Sequence, residues 1–458
     1  MTQSDKSYWL KSGLLSILEK GSVFVFGFGS LYLLARMLEG VELGTWFLFG
    51  TIVSFIEVGR SGLLQNALIK YLTTSPAEEK PKIATASLFL SFCLTILCIL
   101  FLLLFSEFLS RILQAPLLSS LLRIYCITTI LLIPMQQFNF MQQANFDFRG
   151  IFWSNFAWKG LFFFFLAFLF FSPWTADVHL LAYYQIGTAS IAGLISFLIG
   201  RPYLTFSWQI DGGWVRRLFG FGLFVFGTNL STMLYKTLDR MMISSMTVAG
   251  AAAVGVYEIA IRFTNLVEVP TFSVASVVFP KSSEKMATEG KSAIKELYEQ
   301  SVGAILALVL PFLLLVFVLA EPIIVLLATE EYLSSVPVLR TTIWFGLFIP
   351  FAVQFGTVVD SMGLPKVNFA FTLLGLVLNI VLNYLFISQM GIIGAAYGTL
   401  ISYVLLFLIT QIVLNRLIGT HPLNVFRHIL PFYRKGYSLA YKFLNKEEET
   451  VDSVKPEA

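Results

Sequence analysis

Charge is what this sequence has least of. Only 13% of its 458 residues are Asp, Glu, Lys or Arg, against 57% hydrophobic, where a water-soluble domain carries about a quarter charged. The mean hydropathy is accordingly +0.79. Cysteine and histidine are also scarce, at 3 each. Cys93, Cys98 and Cys126 lie in apolar runs without disulfide or metal-ligand spacing and read as buried, inert thiols, while His179, His421 and His428 are too dispersed for a metal centre. The phosphate cradle G-x-x-x-x-G-K-[ST] is missing, which excludes ATP hydrolysis through that motif. "GFGLFVFG" at 220–227 has the glycines of a nucleotide loop but lies in an apolar run, so it reads as a helix-packing feature. No connection is long enough for a catalytic domain, and the largest, near 280–298, reads as a basic cytoplasmic loop. Nothing in the composition points to nucleic acid.

Long apolar runs are what the sequence has instead. Residues 84–105 carry no charge, and neither does the stretch from Val367 to Asn415. A helix needs about 20 apolar residues to cross a hydrocarbon core. Such runs recur along the whole chain, so the solvent for this hydrophobicity is lipid. The expected fold class is an all-α integral membrane protein with about twelve spans: 11–36, 43–69, 83–105, 119–143, 151–172, 178–200, 214–238, 250–279, 299–320, 335–359, 366–387 and 391–415. The N-terminal "MTQSDKSYWLKSG" has no small-residue cleavage site, so the first span is expected to be retained. Lys6, Lys11, Lys70, Lys80, Lys82, Arg149, Arg201, Arg216, Arg217, Lys281, Lys285, Lys291, Lys295 and Lys366 fall in alternate connections. By the positive-inside rule both termini are expected to be cytoplasmic. In the tail 416–458, Arg427, Arg434, Lys435 and Lys442 alternate with aromatics, as in an interfacial helix on an anionic leaflet or a solvated segment, and its acidic end reads as disordered.

The two halves resemble each other. "SSLLRIYCITTILLIPMQQF" at 119–138 and "SSVPVLRTTIWFGLFIPFAVQF" at 334–355 share a Leu-Arg, an Ile-Pro and a Gln-Phe in the same order. "FVFG" opens matching spans at 24–27 and 224–227, which end in Arg36-Met37 and Arg240-Met241. The pattern predicts two pseudo-symmetric six-helix lobes, 1–208 and 209–415, around a central cavity, followed by the tail 416–458.

Within that frame the few intramembrane charges stand out, because an ionisable group at bilayer depth costs roughly 2.5–3.5 kcal/mol and nearly always faces a bundle interior. The repeat maps the eighth span onto the second. Glu57 and Arg60 are three residues apart and Glu258 and Arg262 four, so each pair shares a helix face and can form an ion pair. Glu19, Lys20, Lys159, Lys236, Asp239, Arg240 and Glu268 are the other charges at depth. Arg36, Arg123, Arg240 and Arg340 lie near span ends, where snorkelling suffices. Asn379 and Asn383, one turn apart, suit either a cavity wall or an interhelical hydrogen bond. Pro134, Pro270, Pro311 and Pro350 fall inside spans. Pro134, Pro270 and Pro350 are the expected hinges.

The stretches "LDRMMISSMTVAGAAAVGVYEIAIRFTNLVEVPTFSVASVVFPKSS" (238–283), "EEYLSSVPVLR", "SMGLPKVNFAFTLLGLVLNIVLNYLFI" and "GIIGAAYGTLISYVLLFLI" resemble the polysaccharide-lipid flippases of the multidrug/oligosaccharidyl-lipid/polysaccharide exporter superfamily. So does "ARMLEGVELGTWFLFGTIVSFIEVGRSGLLQNALIKYL" near the N-terminus. The resemblance implies a secondary transporter that moves a polyprenyl-pyrophosphate-linked oligosaccharide, such as an O-antigen or exopolysaccharide precursor, across a bacterial inner membrane. It implies no cofactor beyond a coupling H+ or Na+. Membrane lipids, and possible polysaccharide-assembly proteins, are the expected partners. On this reading Arg60, Arg262, Lys20 and Lys236, with Asn379 and Asn383, receive the anionic headgroup. Glu57, Glu258, Glu19, Asp239 and Glu268 balance charge or bind the coupling ion. The rival readings are a cation-coupled multidrug exporter, which would favour an acidic cavity, and a membrane glycan polymerase, which would need a large outward loop.

Overall fold

In lipid the backbone must satisfy its own polar groups, so apolar runs of this length become helices. A computed structural model describes residues 18, 21–22, 25–145 and 147–434, and no strand occurs among them. The helices are α1 (Val25–Met37), α2 (Gly40–Thr74), α3 (Lys80–Ile112), α4 (Leu118–Ala144), α5 (Arg149–Phe171), α6 (Val178–Gly200), α7 (Gly212–Met246) and α8 (Ala251–Asn265). They continue with α9 (Glu268–Thr288), α10 (Lys291–Val318), α11 (Ala320–Ala328), α12 (Ser335–Thr342), α13 (Phe345–Ser361), α14 (Pro365–Met390), α15 (Ile392–Ile418) and α16 (Pro422–Phe426). Among the described residues, 9 helical stretches are long and apolar enough to cross a membrane. They match the second to sixth, ninth, tenth, eleventh and twelfth expected spans.

The polarity of these helices is inverted relative to a soluble protein. On α3 the buried stripe is Ala84, Ala86, Ser87, Ser91, Thr95, Ser106 and Ser110 with a few larger residues. Phe92, Leu97, Leu104 and Phe108 face outward at 54%, 63%, 74% and 57% exposure. Small residues let helix backbones approach, and lipid covers the rest. The same logic joins α2 to its neighbours. A side chain at Gly44 would collide with the carbonyl of Ala251 on α8, and one at Gly222 with the carbonyl of Leu63, so within "GFGLFVFG" Gly222 serves packing of α7 on α2, whereas one at Gly220 or Gly227 would meet nothing within 4 Å among the described residues.

The chain gathers into two compact units: the described residues of 1–259 with 326–332, and those of 260–325 with 333–434. In the first, α4 packs on α6 and α3, and α5 on α6. Ser154 and Ser196 both donate to Asn139 Oδ1, at 3.2 and 2.8 Å. In the second, α13 packs on α9 and α10, and α14 on α15.

Four expectations change. The eighth span is not continuous: α8 stops at Asn265, two tight turns follow, and α9 begins at Glu268. Pro270 lies in the first turn of α9, where its missing N–H costs nothing, so it resets the helix and is not a mid-helix hinge. Pro134, Pro311 and Pro350 do lie inside helices, in α4, α10 and α13. The basic connector near 280–298 is almost entirely helical. Its only break is Glu289-Gly290, where Gly290 takes φ +77°, a conformation open to glycine without strain. The thiols, finally, are not all buried: Cys126 is, but Cys93 is exposed on the outer face of α3.

Candidate functional site

The first unit holds two polar clusters. In one, α2 presents Glu57 and Arg60 on the same face, as their spacing predicts, with Arg60 Nη2 2.9 Å from Glu57 Oε2. Arg60 is 0% exposed. Its other terminal nitrogen donates to the carbonyl of Thr129 at 2.7 Å and to Thr95 Oγ1 at 3.3 Å. Tyr125 donates its hydroxyl to Glu57 Oε1 at 2.7 Å, and the Gln136 amide donates to Glu57 Oε2. Three helices, α2, α3 and α4, thus converge on one buried ion pair. Glu57 is its accessible edge, with 18% of its side chain exposed.

In the other cluster, Arg240 of α7 donates through Nε to Glu258 Oε1 of α8, the two side chains being 13% and 3% exposed. One residue earlier on each helix, Tyr257 donates its hydroxyl to Asp239 Oδ2 at 2.6 Å. Asp239, Tyr257 and Glu258 are all buried. Each cluster therefore couples a carboxylate to a guanidinium and a carboxylate to a tyrosine hydroxyl, through one carboxylate in the first and two in the second.

The remaining expected residues fall as follows. Lys236 is exposed on α7. Arg262, on the part of α8 assigned to the second unit, and Glu268, at the start of α9, are half-buried. Lys159 lies over the Trp158 ring at 4.5 Å. Glu19 and Lys20 lie outside the described residues. Asn379 and Asn383 are buried between α14 and α15: Asn383 Nδ2 donates to Asn379 Oδ1, and Asn379 Nδ2 to Thr399 Oγ1, both at 3.1 Å. A side chain at Gly398 would meet Asn383, so the close approach of α15 is part of this hydrogen-bonded seam.

Arg240, read both as a charge at depth and as a helix-end side chain for which snorkelling suffices, is the one that meets Glu258. Tyr125, Gln136, Thr95 and Tyr257 carried no sequence signal, since hydroxyls and amides in apolar spans are common. Arg123 is 53% exposed beside Glu107. Arg36 instead donates to the carbonyls of Leu326 and Leu327, the orphan acceptors at the end of α11. Outside the spans, Asp147 accepts from the backbone and guanidinium of Arg149 and from the Tyr203 hydroxyl. These hydrogen bonds, the Arg149 side chain foremost, hold its carboxyl below the usual range.

Residues 33–337 match the family described as "Polysaccharide biosynthesis protein". An uncharacterised membrane protein of Methanocaldococcus jannaschii is 28% identical over 211 residues, 46% of this chain and 41% of that one. A "probable low-salt glycan biosynthesis flippase" of Haloferax volcanii is 24% identical over 188 residues, 41% of this chain and 39% of that one. The chain thus matches about two fifths of the length of these relatives. Among solved structures, a lipid II flippase superposes with a TM-score of 0.74 at 16% identity, covering 94% of this chain and 92% of that one. A multidrug resistance transporter of the MOP superfamily gives 0.73 at 14%, covering 86% and 95%. The fold is that of these transporters.

Proposed function

Since this chain belongs to the polysaccharide biosynthesis protein family, we propose that it is a secondary transporter which flips a polyprenyl-pyrophosphate-linked oligosaccharide by alternating access. The observation that carries the reading is the buried charge system on α2 and α7–α8, in a multi-pass membrane protein of which only 13% is charged. The flippase relatives and the transporter fold support it. The division into lobes 1–208 and 209–415, each of six spans, is part of the proposal and rests on the internal sequence repeat. So is the placement in a bacterial cytoplasmic membrane with both termini cytoplasmic, which rests on the distribution of Lys and Arg.

The chemistry follows from what a buried ion pair can do. Removing two charges from water costs several kcal/mol, which their attraction only roughly offsets. A guanidinium held by a carboxylate is thus stable when empty, yet it can exchange that carboxylate for a phosphate of equal charge and better bidentate geometry at small net cost. Glu57 is the displaceable carboxylate and Arg60 the group it masks, with Tyr125 and Gln136 ready to hold Glu57 in either state. Protonation of Glu57 as the phosphate pairs with Arg60 would avoid leaving the displaced carboxylate as an unpaired buried charge, which gives H+ a route to drive the cycle. Arg262, Lys236 and Lys20 supply further cationic contacts, and Asp239, Glu258, Glu19 and Glu268 balance them.

The test is surface-glycan display in a deletion strain complemented by the wild type, by Arg60→Ala and by Arg262→Ala at equal membrane levels. Loss of the glycan on deletion, with both variants inactive though inserted, is expected. An intact glycan with increased drug sensitivity would replace this reading by the multidrug exporter. Full complementation by both variants would remove the arginines from the headgroup site.

A further inference from the structure

The segment "HPLNVFRHILPFYR" (421–434) takes no part in the transport reading, yet the structure gives it a definite seat. α15 ends at Ile418, and Gly419 turns the chain with φ +72°. Asn415 Nδ2 donates to the carbonyl of Thr420 at 2.9 Å and closes that turn. From there the chain lies along α10. The backbone N–H of His421 and the amide of Asn424 donate to Glu299 Oε1 at 3.4 and 3.3 Å. Val425 and His428 fill the space a side chain at Gly303 would need, and the Tyr433 hydroxyl donates to the carbonyl of Ala307. Glu299, Gly303 and Ala307 follow one another at four-residue intervals, so the contact runs about 12 Å along one stripe of the helix.

The depth of this contact can be read from α10. Glu299 is its last charge, and residues 301–320, "SVGAILALVLPFLLLVFVLA", are charge-free up to Glu321. Twenty helical residues span about 30 Å, the thickness of a hydrocarbon core. The core therefore begins near Ser301, with Gly303 about 3 Å and Ala307 about 9 Å inside it. At that depth the segment turns Leu423, Phe426, Leu430 and Tyr433 outward, at 76%, 46%, 59% and 44% exposure. Arg427 and Arg434 are exposed as well, about two helical turns apart. Farther along α10, Leu308, Leu314 and Leu315 also face outward, so the apolar surface of the segment continues the lipid-facing surface of the span. Acyl chains are the only solvent for such side chains there; Arg427 lies near the core boundary, Arg434 follows Tyr433 at the level of Ala307, and both guanidiniums reach a headgroup phosphate by snorkelling back toward that boundary.

We propose that residues 420–434 form a membrane-embedded strap that seats an anionic glycerophospholipid. Its acyl chains lie against Leu423, Phe426, Leu430 and Tyr433, and its phosphate is held by Arg427 and Arg434. The strap also covers Glu299, which its own N–H groups satisfy, and ties α15 to α10. The assignment is independent of which substrate the protein transports.

Two measurements on the full chain test it. The first places a nitroxide at Leu430→Cys, with Cys93, Cys98 and Cys126 replaced by Ala, in bilayers of phosphatidylcholine and phosphatidylglycerol. The label should be accessible to oxygen and shielded from a water-soluble nickel chelate. Ready access of the chelate overturns the embedded strap. The second compares retention of phosphatidylglycerol over phosphatidylcholine through purification, by native mass spectrometry. Arg427→Gln/Arg434→Gln should reduce the preference roughly thirtyfold, given about 1 kcal/mol per basic residue at an anionic surface. Lys281→Gln/Lys291→Gln, which removes the same charge from exposed positions elsewhere, should leave it unchanged. Retention by the arginine variant, or equal loss in the lysine variant, overturns the phosphate site.

Discussion

Arg60 shows what a single residue can and cannot reveal. Its three-residue offset from Glu57 made the ion pair legible, because spacing on one helix is local information. Its partners Thr95 and Thr129, and the hold of Tyr125 and Gln136 on Glu57, lie 35 to 79 residues from the pair and could not be read from spacing. Removing one member of a buried pair costs about 3–5 kcal/mol, since the other is left uncompensated. Glu57→Gln and Arg60→Gln should each lower the thermal midpoint of the detergent-purified protein sharply. The double variant should recover most of the loss yet remain unable to display glycan. A double variant that transports would leave the pair a purely structural clamp. Asp147 offers a pH-dependent counterpart. Its folded carboxyl titrates below the usual range, so its contribution is present above the ordinary carboxylate value of about 4 and is lost as pH falls through the folded value. Asp147→Asn should therefore be less stable than wild type at pH 7, by on the order of 1 kcal/mol, and indistinguishable from it once pH drops below the folded value. Melting curves at the two extremes decide this.

Between elements, the repeated Gln-Phe of the two halves has diverged. Gln137 of α4 accepts from Ser87 Oγ at 3.2 Å and donates to the carbonyl of Ala84 at 3.4 Å on α3. Gln354 of α13 is equally buried, but neither polar atom of its amide has a partner among the described residues. A satisfied buried amide stabilises by about 1 kcal/mol, whereas an unsatisfied one costs about 1–3 kcal/mol. Gln137→Leu should lower the thermal midpoint and Gln354→Leu should raise it. A loss of stability in Gln354→Leu would mean that a water or ligand completes its hydrogen bonds. Helix contacts make a second expectation. Gly44→Val places two methyl groups against the Ala251 carbonyl and should reduce the folded membrane fraction, measured by gel filtration in detergent, where Gly50→Val, with open space around it, should not.

For the whole molecule, the transport reading makes a binding prediction that needs no cell. A ligand that binds only the folded state raises its thermal midpoint by mass action. A polyprenyl pyrophosphate should stabilise the purified wild type more than the uncharged polyprenol of the same length, and Arg262→Ala should narrow that difference. Equal stabilisation by both lipids would place recognition in the prenyl chain and remove the cationic site.

Membrane insertion, the helical class and most span positions were settled by the sequence alone, since a run of about 20 uncharged residues has one stable state in lipid, whatever its neighbours. Proline was less decisive: the same residue type lies mid-helix at Pro350 and restarts a helix at Pro270. Only the tertiary structure decided that Arg240 turns inward to Glu258, that Asn379 and Asn383 join α14 to α15, and that residues 420–434 lie along α10. The physical reason is range. Insertion and helicity are summed over consecutive residues, whereas the partner of a buried polar group is chosen by whichever distant helix brings a complementary atom within about 3 Å.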